Sequence, residues 1–113
     1  MHEPGIMQNL LEHAVERAKE DGASHINVVH VGVGEAADIV IDSLDKAFAA
    51  SKHGTIAEDA ILDVEYLPLV CYCATCNIEF RPLDERYECP DCHQPYCEVR
   101  QGNECELMFL DVS

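Results

Sequence analysis

Cys73/Cys76 and Cys89/Cys92 form a C-x2-C-x12-C-x2-C pattern, which places four thiolates where one metal ion can collect them. A C-x2-C turn brings two sulfurs to one side of a tight loop, and two such loops facing each other give the tetrahedral four-sulfur cage that zinc prefers. Four protein ligands leave no open coordination position, so the ion is expected to fold the segment and not to activate water. Pro90 inside the second pair and Asn77 after the first suit the turns of such loops. The rival reading is a disulfide framework. The seven cysteines are odd in number, and no apolar h-region or cleavage site stands near Met1, so reduced thiols in a cytoplasm are expected.

Cys71, Cys97 and Cys105 remain. On an extended chain Cys71 points to the same face as Cys73 and competes as a ligand, whereas Cys105 falls in a late apolar run and reads as a small hydrophobe. His93, directly after Cys92, is either a substitute or supporting group for the metal or an exposed histidine.

Met1-His2-Glu3-Pro4 offers a different chemistry. Removal of an initiator methionine requires a small second residue, and His2 is large, so Met1 and its amine are expected to stay. The imidazole of His2 can chelate together with that amine and the intervening backbone amide, and planar nitrogen donors favour Ni(II) or Cu(II). A residue before proline is pushed away from the α region, so Glu3 is expected to hold this tripeptide extended and open to an ion.

The charge limits what the chain can bind. Asp and Glu number 22 against 7 Lys and Arg, a formal charge of −15, which repels phosphate backbones and anionic lipid and attracts cations and basic protein surfaces. The segment between Cys71 and Cys97 holds Glu79, Asp84, Glu85, Glu88 and Asp91 against Arg81 and Arg86. Nucleic acid is therefore not expected as a partner. No apolar stretch approaches the roughly 20 residues of a membrane span, so no membrane is expected either.

The elements that must carry these residues are legible in part. Met7, Leu10, Leu11, Ala14 and Ala18 recur at helical intervals between Pro4 and Asp21, with Gly22 as the stop. His25 to Val33 is rich in Val and Ile with apolar residues on both faces, a central strand halted at Gly34. A second helix is expected with Asp42 as N-cap, Leu44, Ala47, Phe48 and Ser51 on one face and Gly54 closing it. From Ala60 to Leu67 the chain alternates, Leu62, Val64 and Tyr66 inward and Asp63 and Glu65 outward. Glu104 to Val112 reads as a last strand, with the cysteine segment held at its base by Leu69 and the turn at Gly102-Asn103. The fold class is α+β: a small sheet packed by two helices, with an inserted four-cysteine, zinc-ribbon-like lobe. The expected division is an α/β domain over 1–69 and 103–113 and a zinc-binding domain over 70–102. His13, His25, His30 and His53 are expected to have ordinary structural roles.

Met1-His2-Glu3, Val31-Gly32-Val33-Gly34-Glu35, Gly54-Thr55-Ile56-Ala57-Glu58-Asp59-Ala60, the two C-x2-C pairs and Gly102-Asn103-Glu104 occur in that order. In this order and separation, the chain resembles the HypA/HybF family of hydrogenase nickel incorporation proteins. The resemblance implies a small metallochaperone and not an enzyme, with transferable Ni(II) and structural Zn(II). It implies nickel on His2, assisted by nearby backbone nitrogens of Met1 and Glu3, and zinc on Cys73, Cys76, Cys89 and Cys92. The implied partners are a nickel-handling GTPase of the hydrogenase maturation pathway and the precursor of a [NiFe]-hydrogenase large subunit, with urease maturation proteins as a further partner. Pro4-Gly5 departs from the helix-friendly start of the family, and Asp38 or Asp42 could supply the acidic residue that some members place near nickel. The alternative function is a zinc-ribbon interaction or nucleic-acid module without transferable metal. That reading calls for a basic patch beside Tyr72, Phe80, Tyr87 and Tyr96, and only the aromatics are present.

Overall fold

A computed structural model describes the chain from residue 3 to residue 113, with side chains from Pro4 onward. Helix α1 spans Glu3–Glu20 and buries Met7, Leu11, Ala14 and Ala18 along one stripe, the spacing that keeps i, i+4 and i+7 on one face. Gly22, at φ +77, stops it. The Gly22 N–H donates to the Lys19 carbonyl at 3.0 Å and the Ala23 N–H to the Ala18 carbonyl at 2.9 Å, the paired bonds of a glycine C-cap. Glu3 is already the first residue of this helix, so the extended conformation expected from Pro4 does not extend to it. Burial of Met7 and Leu11 anchors the first turn and outweighs the local bias against helix before proline.

Strand β1, Ile26–Gly34, is central in a sheet ordered β2-β1-β6, where β2 is Ile61–Leu67 and β6 is Cys105–Val112. Val29 and Val31 of β1 are buried, and α1 packs against α2 (Ile41–Ser51) and against β6. Leu44, Ala47 and Phe48 are the buried face of α2, as its periodicity predicts. Its N-cap is Val40 and not Asp42. Asp42 lies one residue inside the helix and pairs with Lys46 at 3.2 Å on an exposed surface. Ile41 and Leu44 share the apolar stripe, so the helix begins early enough to use both, and a carboxylate in the first turn still suits the helix dipole. Lys52, not Gly54, is the C-cap; Gly54 takes its left-handed φ of +72 two residues later.

Along β2, Leu62 and Val64 are half-buried while Asp63 and Glu65 face solvent. Tyr66 breaks the expected alternation and is 61% exposed. It lies where the chain passes from one compact unit into the other, beyond the stripe that the helices bury.

A second three-stranded sheet, ordered β4-β3-β5, lies in the cysteine segment: β3 Val70–Cys73, β4 Ile78–Phe80 and β5 Glu98–Gln101. Its pairs are antiparallel, with Cys71 opposite Phe80 and Cys73 opposite Ile78 on one side and Cys71 opposite Val99 on the other. Strands this short carry too little alternation to be recognised from sequence.

The chain divides into two compact units. One comprises Met1–Gly32, Ile39–Glu65 and Cys105–Ser113, the other Val33–Asp38 and Tyr66–Glu104. The segment Val33–Asp38 is tied into the second unit by backbone bonds from Gly34 N–H to the Glu104 carbonyl and from Ala36 N–H to the Gly102 carbonyl, both 2.7 Å. Glu35 adds its carboxylate, which accepts the Leu69 N–H at 3.0 Å and the Arg81 guanidinium at 2.6 Å. No helix among the described residues is long and apolar enough to cross a membrane.

Candidate metal centre

Strand β3 ends at Cys73 and β4 begins at Ile78, its partner across the ladder, so Ala74, Thr75, Cys76 and Asn77 form a four-residue hairpin loop. Asn77 takes a left-handed φ of +55, and its Oδ1 accepts the Tyr72 hydroxyl at 2.6 Å. The second pair forms a loop of the same kind without flanking strands. His93 takes φ +64, its N–H donates to the Cys89 carbonyl at 2.9 Å, and the Cys89 N–H donates to the Gln94 carbonyl at 2.9 Å. In both loops the left-handed residue directly follows the second cysteine, and that reversal folds the two thiols onto one side. Asn and His are both enriched among the non-glycine residues that adopt such a φ.

The two loops bring Cys73, Cys76, Cys89 and Cys92 together. Their four sulfurs lie within 4.8 Å of one another, and Cys73 Sγ is 3.6 Å from Cys92 Sγ. A tetrahedral zinc with bonds of about 2.3 Å separates its sulfurs by about 3.8 Å, so the donor set fits a closed four-sulfur site. Cys73 and Cys89 are buried, Cys76 is half-buried and Cys92 is exposed. Gln94 braces the pair of loops: its Oε1 accepts the Thr75 hydroxyl at 2.8 Å, so one side chain joins the first loop to the second. Nothing in the sequence pattern singles out Gln94, because its role depends on the facing of loops 19 residues apart.

The thiols share their protons unequally. The Cys76 backbone N–H holds Cys73 down to about 7 against the opposing pull of desolvation, with help from the Cys92 and Cys89 thiols. Cys76 is pushed up to about 12, first by its hydrogen bond with Cys92 and then by burial and the other two thiols. A cluster in this state favours the Cys73 thiolate and resists deprotonation of Cys76. A divalent cation supplies the positive charge that lets all four deprotonate.

The other cysteines stay out of the group. Cys71 shares a face with Cys73 on β3, as the two-residue spacing predicts, and packs in the apolar cluster that also holds Cys73, Cys89, Phe80 and Cys97, yet it is not one of the four grouped sulfurs. Burial raises its thiol pKa. Cys97 is buried in the same cluster, its Sγ directed at the Gln94 carbonyl at 3.4 Å, and its thiol too is raised, chiefly by desolvation. Cys105 is half-buried, and burial raises it ahead of the nearby Glu106 carboxylate. The imidazole of His93 is directed away from the sulfurs, with Nδ1 3.2 Å from Glu88 Oε2, and its side chain is 72% exposed. His93 serves the centre through its backbone.

Met1, His2 and the side chain of Glu3 lie outside the described residues. Asp38 is exposed at φ +55, and Asp42 is the exposed partner of Lys46.

The family model described as hydrogenase/urease nickel incorporation, metallochaperone, HypA matches residues 1–112. The chain belongs to the HypA family. Among curated HypA relatives, the "Hydrogenase maturation factor HypA" of Chloroflexus aurantiacus is 36% identical over 113 residues, covering 99% of each chain. The protein of the same name from a Picosynechococcus species is 38% identical over 112 residues, again covering 99% of each. The solution structure of the Ni metallochaperone HypA from Helicobacter pylori matches with a TM-score of 0.79 and 31% identity, covering 99% of this chain and 97% of that one. A further HypA solution structure matches with a TM-score of 0.81 and 30% identity, covering 100% and 97%. The HypA relatives are maturation factors by name, and the α+β fold with its four-cysteine lobe is that of the family.

Proposed function

We propose that this protein carries Ni(II) on its amino terminus and delivers it during maturation of a [NiFe]-hydrogenase, while Zn(II) in the four-cysteine group holds the lobe together. Nickel is the cargo. Its donors are the imidazole of His2 and backbone nitrogens of Met1 and Glu3, in a domain over 1–69 and 103–113. Zinc is resident, on Cys73, Cys76, Cys89 and Cys92, in a domain over 70–102. The observation that carries this reading is the family match over residues 1–112, and the four-sulfur group supports its zinc half.

The two sites are suited to opposite tasks. Four sulfurs in a partly buried cluster leave no open position, so zinc exchanges slowly. A terminal site with few donors can pass its ion to a partner by ligand exchange. The proposed partners are a nickel-handling GTPase and the large-subunit precursor, with urease maturation proteins as further recipients, in the cytoplasm; the family's description by hydrogenase/urease nickel incorporation supports this reading. No catalytic role is assigned.

Equilibrium nickel titration of the zinc-loaded protein tests the reading. The parent should take up one labile Ni(II), and His2→Ala should lose it while keeping one tight zinc. Unchanged nickel affinity in His2→Ala would remove that residue from the transfer role.

A further inference from the structure

One face of the β2-β1-β6 sheet carries large apolar side chains that stay exposed. His30, on the central strand, places Nδ1 2.9 Å from Asp63 Oδ2 on β2. Its ring stacks on Phe109 of β6 with centroids 3.8 Å apart and planes 18° from parallel. A row of three side chains therefore crosses the whole sheet. Phe109 is nevertheless 57% exposed, and Ile61 on the same face of β2 is 67% exposed. A depression of about 370 Å³ opens here, lined by His30, Asp63, Glu65 and Phe109 among others.

The charge of this face is one-sided. Strands β1, β2 and β6 carry Asp63, Glu65, Glu106 and Asp111 and no Lys or Arg. Alternation places Glu65 on the side of Asp63, and Asp111 on the side of Phe109. Asp111 accepts a bond from Asn27 Nδ2 at 3.1 Å, and Asp63 uses only Oδ2 on His30 among the described residues. An exposed aromatic ring beside carboxylates is complementary to a flat, delocalised cation, because guanidinium stacks on the ring face and pairs with carboxylate oxygens at its edge. A second copy of this chain would instead set acid against acid.

We propose that this sheet face docks an extended, arginine-bearing segment of a protein partner, with one guanidinium stacked on the open face of Phe109 beside Asp111, a second paired with Asp63 and Glu65, and an apolar residue on Ile61. The two-residue repeat of acid along β2 and of ring and acid along β6 matches a strand-like segment with arginine at alternate positions. This assignment is independent of where nickel binds.

The test titrates an acetylated, amidated Arg-Leu-Arg-Leu-Arg peptide into the zinc-loaded full chain, following amide shifts, with Lys and Glu counterparts as controls. The Arg peptide should saturate shifts at His30, Asp63 and Phe109 and bind about threefold or more tighter than the Lys peptide, as an exposed cation–π contact implies. Phe109→Ser and Asp63→Asn should weaken it. Phe109→Leu keeps the apolar bulk and should abolish the preference for Arg over Lys, which separates recognition from damage to the fold. Equal binding of Arg and Lys peptides, shifts spread over the acidic helices, or undiminished binding to Phe109→Leu would overturn the proposal. So would sedimentation showing that the free chain dimerises through Phe109, which would assign the face to a second copy.

Discussion

Gly34 and Gly102 cross with their backbones in direct contact: a Cβ on Gly34 would overlap the Gly102 carbonyl group and come within 2.7 Å of the Asn103 nitrogen. Gly102 in turn has φ +109, and a Cβ there would meet Leu69 Cα at 2.5 Å and the Pro68 carbonyl oxygen at 2.8 Å. Each contact is backbone, so no side-chain rotation can relieve it. The crossing ties Val33–Asp38 to the unit that carries the metal group, and it explains why glycine is required at two positions 68 residues apart.

Gly102→Ala should therefore destabilise the protein by about 3 kcal/mol, from left-handed strain and overpacking together, and Gly34→Ala by about 1–3 kcal/mol. Gly54 provides the comparison. It also has positive φ, +72, but nothing lies within 4 Å of its missing Cβ, so Gly54→Ala should cost only about 1 kcal/mol. Thermal unfolding orders the three, and a Gly102→Ala protein no less stable than Gly54→Ala would contradict the crossing.

Removing one sulfur should cost more than removing a buried neighbour. Cys76→Ala or Cys92→Ala removes a ligand and with it much of the roughly 10–16 kcal/mol that structural zinc supplies. Cys71→Ala removes only packing from the apolar cluster. Metal content by mass spectrometry should fall below one zinc per chain for the first two variants and stay at one for the third. Amide spectra should show residues 70–101 disordered while the signals of α1 and α2 persist.

Zinc affinity should fall as the pH falls, because protons compete for the sulfurs. In the metal-free cluster Cys73, held down to about 7, stabilises the fold fully above its unfolded value and loses that contribution as pH drops through 7. Cys76, pushed up to about 12, contributes below its unfolded value and loses this as pH rises through 12. Near neutrality Cys76 is protonated and Cys73 about half so, and binding must expel more than one proton. Competition titrations at pH 6, 7 and 8 should show affinity changing more than tenfold per pH unit, the dependence of a single proton being tenfold. A flatter response would mean that the cluster is already deprotonated before the ion arrives.

His93 should be replaceable by glycine but not by valine. His93→Gly relieves the φ of +64 and loses only an exposed pair with Glu88, worth about 0–1 kcal/mol, so zinc stoichiometry and melting temperature should hold or rise. His93→Val forces a β-branched residue into the left-handed region and should lower the melting temperature. Loss of zinc from His93→Gly would restore the imidazole as a ligand.

What the sequence alone could determine was set by short-range chemistry. The stripes Met7-Leu11-Ala14-Ala18 and Leu44-Ala47-Phe48 repeat at the helical period, the stop at Gly22 needs one left-handed residue, and C-x2-C spacing selects thiols that a single tight turn can gather. Each of these is decided within a few residues, and each stands in the structure as read. The tertiary structure decided what depends on distant partners. The short strands β3, β4 and β5 form only because they pair with one another. Val40 displaces Asp42 as cap because the helix starts where its apolar face finds the core. Cys71 lies outside the four grouped sulfurs, although it shares a face with Cys73, because the facing of two loops, and not the face of one strand, selects the group. The joining of the two loops by Gln94 and the stacking of His30 on Phe109 likewise belong to pairs far apart in the chain. Local geometry follows from a residue and its neighbours, whereas exclusion, bracing and contact are settled only when remote segments compete for the same space.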